Sequence, residues 1–164
     1  MSKLPERIPA CAAKMLARPE WFTDPGIVSR ARLSPAIGLA QLFSGKFFAR
    51  TEIGAITLGR VIYFRMLEQY DPHSPWGLAF LAHELKHVEQ YEKDGWPKFY
   101  AKYLWAYAFQ GYGESVPFEA EAYEFQRHVQ AHLIAEFENN PGRSPCQEMD
   151  EPHTPNEAFV KTAQ

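Results

Sequence analysis

Within LAHELKHVEQY, residues 81–91, His83 and His87 stand four apart and Glu84 directly follows the first. On a helix, positions i and i+4 lie one turn apart on the same face. Two imidazoles at that spacing can reach one Zn2+ at about 2.0–2.1 Å, while a carboxylate at i+1 is turned aside toward the metal's open position. Zinc lowers the pKa of a water there to about 7, and the carboxylate takes its proton as the water attacks a carbonyl. The pattern arises by accident with a chance of roughly 0.02 in a chain of this length and composition, so we read it as a metal site rather than a polar stripe on an ordinary helix.

Such a site needs a third protein ligand. Downstream candidates are Glu119 and Glu121 in VPFEAEAYEF, then His128 and His132 in RHVQAH. An antiparallel return of a later helix would bring its N-terminal turns back to the two histidines. Glu119 and Glu121 point about 200° apart on an ideal helix, so both do not easily bind one ion. His128 and His132 repeat the i, i+4 spacing, but Val129 and Leu133 follow them where a base would be required. We read them as partly buried or surface histidines, with Glu124 placed to pair with His128.

Three helices must position these residues. The first has Ser74 as N-cap and Pro75 at its first position, carries the two histidines, and stops at Gly95. Stepping about 100° per residue places Leu78, Leu81, Leu85 and Val88 on a core face. Ala79, Ala82, Lys86, Gln90 and Lys93 fall on a solvent face, and Trp76, Phe80, His83, Glu84, His87 and Tyr91 share a third stripe. The second helix is predicted from Pro97 to Gln110, ending at Gly111; the third opens with Ser115 and Pro117 and runs to about Glu138. Upstream, AITLGRVIYF (55–64) predicts a β-hairpin, with Gly59 at the first central position of a type II′ turn. PAIGLAQLFSG (35–45) predicts a short helix. Residues 1–33 read as a wrapping arm with a helical piece over Ala10 to Ala17, and 141–164 as a Pro-rich flexible tail.

The chain has 164 residues, 46% apolar and 15% aromatic, enough to bury roughly 70% of the surface its unfolded form exposes. We expect one globular domain over residues 1–140. A net charge of -3 and a pI near 6.1, with no basic run to track phosphates, argue against nucleic acid as a partner. WPKFYAKYLWAYAF (96–109) is shorter than the roughly 20 residues that span a bilayer and contains two lysines. Pro5, Glu6, Arg7, Pro9 and Lys14 interrupt any apolar run that an export signal would need. Cys11 and Cys146 lie far apart without C-x-x-C spacing, and we read them as reduced thiols in a cytoplasmic protein.

Aromatic residues cover nearly all sides of the second helix, at Phe99, Tyr100, Tyr103, Trp105, Tyr107 and Phe109. They predict deep packing, or else a cleft wall or a face for a protein partner. Tyr107, Tyr112 and Tyr123 are candidates to polarise an oxyanion.

HELKHVEQY followed by PFEAEAY resembles the gluzincin metallopeptidases, whose third ligand is a glutamate on a following helix in an E-x-x-A-[DN] pattern. With the hairpin AITLGRVIYF, it is further similar to the contractile-injection-system core metallopeptidase family, over about residues 50 to 130. The resemblance implies a zincin-like α+β fold, mostly helical, with a small hairpin or sheet before the H-E-x-x-H helix. It implies Zn2+ held by His83, His87 and Glu119, Glu84 as general base, and a peptide or protein substrate. The chain departs from the pattern at Tyr123, where relatives often carry an Asp or Asn able to steady a ligand histidine. A non-catalytic module keeping zinc for stability is the competing expectation. A di-iron helical protein would use Glu84-x-x-His87 but needs a second E-x-x-H, which the sequence lacks.

Overall fold

The computed structural model describes residues 5–35, 54–64, 71, 73–95, 97–99, 101 and 116–139. In chain order the elements are β1 (Glu6–Arg7), α1 (Ala10–Leu16), α2 (Ile27–Arg30), β2 (Arg32–Pro35), β3 (Ala55–Leu58), β4 (Val61–Phe64), α3 (Pro75–Asp94) and α4 (Pro117–Glu138). Residues 97–99 and 101 are also helical, at the start of the predicted aromatic helix. The rest of that helix and the tail lie outside the described residues, as does the short helix predicted over 35–45 apart from Pro35, which is in β2. The class is α+β, as expected.

The hairpin forms where its turn chemistry places it. Leu58 pairs with Val61, which leaves Gly59 and Arg60 as the two-residue loop. Gly59 has φ +64°, and among the described residues no non-glycine has positive φ. Only the first central residue is left-handed, which selects type II′ over type I′. Along β4, Ile62 and Phe64 turn into the core while Val61 and Tyr63 are half-buried, the period of two that a half-buried strand requires.

The sheet has the order β1-β2-β4-β3. β2 lies parallel to β4, with Arg32 opposite Val61 and Pro35 opposite Phe64, and β1 adds two antiparallel pairs at the far edge. These two strands from the N-terminal region were not anticipated. RLSP has no apolar alternation, and its pairing is decided by β4 rather than by its own composition.

α1 matches the helical piece expected there and buries Cys11, Ala12, Met15 and Leu16. Cys11 is disulfide-bonded, which corrects the reading of reduced thiols and removes its support for a cytoplasmic setting. The chain's other cysteine, Cys146, lies outside the described residues. Spacing along the sequence is no guide to such a bond, because it forms between residues that the fold brings together.

α3 has the predicted boundaries. The Ser74 side chain accepts from the Gly77 amide, Pro75 occupies the first turn, and Gly95 closes the helix at φ +74°. Gly77 is required by a close approach, since a Cβ there would collide with the backbone of Asp71. Leu78, Leu81, Leu85 and Val88 are fully buried, as the core face predicted. The expected solvent face is different: Ala79, Ala82 and Gln90 are buried and Lys86 is half-buried, leaving Lys93 exposed. α4 lies against this side, with Lys86 over the Phe125 ring and Gln90 bonded to the Phe118 carbonyl. The third stripe starts in solvent at Trp76 and becomes buried at His83.

α4 ends at Glu138 as predicted but begins under Val116, with no side-chain cap. Its buried positions Glu119, Ala122, Val129 and Leu133 form one stripe. Val129 and Leu133 join a core shared with Leu16, Ile27, Ile62, Phe64 and the leucines of α3.

Candidate metal centre

The middle of α3 and the first turn of α4 converge on three side chains. His83 Nε2 lies 3.2 Å from His87 Nε2. The Glu119 carboxylate spans both rings, with Oε2 3.4 Å from His83 Nε2 and Oε1 3.5 Å from His87 Nε2. Ligands at about 2.0–2.1 Å around a tetrahedral ion are separated by roughly 3.3–3.4 Å. The separations are close to that value, with a different carboxylate oxygen nearest each ring, and one ligand atom from each residue lies within 4.8 Å of the others. The three residues are also shielded, at 5% exposure for His83, 7% for His87 and 2% for Glu119.

The polar groups of this cluster call for positive charge among them. Two imidazole Nε2 atoms facing each other cannot both present lone pairs unless something positive lies between them. Glu119 Oε2 is buried without a hydrogen-bond partner, its contact with His83 Nε2 being a 3.4 Å ion-pair separation. Burial opposes charge on Glu119, but the neighbouring His83 and His87 imidazoles outweigh it and lower its pKa to about 2. Burial likewise opposes charge on His87, and the Glu119 carboxylate followed by Glu84 overrides it, raising the pKa to about 9. The pocket is electrostatically negative and is neutralised either by protons on imidazole or by a metal cation. These residues fit a metal ion.

Glu84 lies beside the cluster and outside the converging set. It is 4% exposed, and its Oε2 accepts a 2.7 Å hydrogen bond from Thr57 Oγ1 on β3. Thr57 was missed at the sequence level. Its role depends on the hairpin packing against α3, and the only local sign was the placement of that hairpin just before the motif helix. Gln90 was also missed, having been assigned to solvent. It bonds His87 Nδ1 at 2.8 Å.

Glu121 is directed away from the histidines. Its carboxylate bonds Gln90 at 2.9 Å and Lys86 at 3.1 Å. His128 and His132 are exposed; His132 meets Arg18 at 3.1 Å and the edge of Trp21. Among the described residues, His83, His87 and Glu119 are the group of possible ligands that converges. Tyr123, one turn after Glu119, packs against the His83 ring with centroids 4.6 Å apart. Tyr107 and Tyr112 lie outside the described residues. From the aromatic helix Phe99 is buried against Tyr91 and Phe118, the packing role expected of it.

The fold and site together define an α+β domain with a buried His-His-Glu cluster able to hold a metal ion. Residues 44–95 match the family model of the eCIS core domain, consistent with the contractile-injection-system core family. That span is under a third of the chain; it contains the hairpin and α3 with His83, Glu84 and His87, and stops before Glu119. No curated protein and no solved structure matches the chain. Among the described residues no helix is long and apolar enough to cross a membrane.

Proposed function

We propose that the protein is a zinc-dependent metallopeptidase of the gluzincin type on a zincin-like fold, with His83, His87 and Glu119 as ligands and Glu84 as general base. The observation that carries this reading is the position of Glu84. A site built only to hold a metal has no use for a second buried carboxylate, held off the ligand set by the Thr57 hydroxyl. When bound, zinc supplies Lewis acidity that polarises a peptide carbonyl and acidifies a water. Thr57 fixes the Glu84 carboxylate through Oε2, and that carboxylate would take a proton from the attacking water and return it to the departing amine nitrogen. Tyr123 holds the His83 ring plane by edge packing. The substrate class is a peptide or an unfolded protein segment.

Glu84→Gln keeps the shape and the Thr57 contact while removing the base. It is expected to retain zinc by elemental analysis and to lose hydrolysis of an unfolded protein by about 10²- to 10⁴-fold. Cleavage at the wild-type rate would end the catalytic reading even with zinc bound.

A second reading, a zinc-stabilised binding module without catalysis, is favoured by the near-complete burial of all three ligands. It predicts full zinc occupancy with no hydrolysis by either form.

A further inference from the structure

One side chain outside the four functional residues touches both ligand-bearing helices. Gln90 is 5% exposed and sits one turn after His87 on α3. Its Oε1 lies 2.8 Å from His87 Nδ1, and its Nε2 lies 3.1 Å from the Phe118 carbonyl oxygen and 2.9 Å from Glu121 Oε2. The latter two partners are a backbone carbonyl and a carboxylate. Glu121 is itself held by Lys86 at 3.1 Å.

Two acceptors can be satisfied only by the amide NH2, so the orientation of the Gln90 amide is dictated by its partners. Oε1 must then face His87. A carbonyl oxygen only accepts, so His87 Nδ1 carries the hydrogen and the lone pair of the neutral ring is left on Nε2. Nε2 is the atom that points at His83 and Glu119. The other histidine has no such support, since His83 Nδ1 is buried without a hydrogen-bond partner.

We propose that Gln90 is the positioning residue of the metal centre: it commits His87 to ligation through Nε2 and latches the first turn of α4, and with it Glu119, onto α3. This rests on the metal-site reading above. Glu121 acquires a role of its own as the anchor that orients the Gln90 amide.

The test uses the full chain as wild type, Gln90→Met and Gln90→Glu, with two readouts. One is hydrogen exchange of the His87 Nδ1–H in metal-free protein by 15N NMR; the other is zinc affinity by competition with a chromophoric chelator. Gln90→Met preserves length and volume but offers neither bond. It is expected to leave the Nδ1–H freely exchanging and to weaken zinc binding by about 10- to 100-fold. Gln90→Glu keeps an acceptor for His87, and is expected to keep the N–H protected and to lose less affinity than Gln90→Met. Zinc affinity of Gln90→Met within about twofold of wild type would overturn the proposal. So would an unprotected Nδ1–H in the wild type, a result that requires no variant to fold. If the wild type binds no zinc, the metal reading fails, while the exchange measurement still decides whether Gln90 holds His87.

Discussion

α3 and α4 meet at the candidate centre but are held in place by different means. α3 starts under a side-chain cap, ends on a left-handed glycine, and buries eleven of its 20 residues. α4 has no side-chain cap and buries four of its 22. Leu78, Leu81, Leu85 and Val88 determine the rotation of α3 before any polar contact is considered. α4 relies on one narrow stripe and on polar ties: Gln90 to Phe118, Lys86 to Glu121, and Arg18 to Glu136. The two histidines are thus delivered by the rigid element and the glutamate by the weakly held one. A bound metal has more ordering to do in α4 than in α3.

Removing the metal tests this contrast most severely. With free zinc at a thousandfold excess over its Kd, chelation is expected to cost about 4 kcal/mol of stability, read as a drop in melting temperature. After chelation, amide exchange should rise in residues 117–138 before it rises in 78–90. Equal rises in both helices would dissolve the distinction between them. Next in size is the core of α3: Leu85→Ala should destabilise the metal-free protein by about 3 kcal/mol through the cavity it leaves. Chemical denaturation checks that loss.

Acidity acts in opposite directions on the two states of the centre. In metal-free protein, Glu119 has its pKa lowered to about 2 and His87 has its pKa raised to about 9. The Glu119 contribution is fully present above its ordinary value near 4.5 and is lost as pH falls through 2. The His87 contribution is fully present below about 6.5 and is lost as pH rises through 9. Metal-free protein should therefore lose on the order of 2 kcal/mol between pH 6.5 and 9. Zinc-loaded protein should gain over the same interval, because protons stop competing for the imidazoles. Melts with and without chelator across this range should diverge as pH rises; parallel curves would show that His87 is not a ligand.

The smallest effect concerns helix ends. Ser74→Ala should cost about 1 kcal/mol, with a lower urea midpoint and unchanged slope. A loss well below this would mean that burial alone defines the start of α3, and the two helices would then differ less than their caps imply.

Much of the fold and part of the site were legible because their causes are local. Ser74, Pro75 and Gly95 act on the backbone within a turn of themselves, and Gly59 selects the hairpin turn through its own φ. The spacing of His83, Glu84 and His87 is a property of one helix, and a period of 3.6 residues converts it directly into a shared face. The strands β1 and β2 were illegible for the opposite reason. RLSP becomes a strand because β4 offers an unpaired edge to it, and nothing within four residues records that partner.

The same division runs through the site itself. From the sequence alone, Glu119 and Glu121 do not easily bind one ion together, a statement about helical angle. Which of them turns inward depends on how α4 is rotated, and burial of Ala122, Val129 and Leu133 decides that rotation in favour of Glu119. Thr57 on Glu84 and Gln90 between His87 and Phe118 join residues 27 and 28 positions apart. Short-range preferences act over a few residues, whereas contacts at that separation exist only after chain entropy has been overcome by packing of the whole core. Local chemistry could therefore propose the two histidines and the candidate base, the motif register of the resemblance pointed to Glu119, and the packed core brings Glu119 to the histidines and supplies the hydrogen bonds around them.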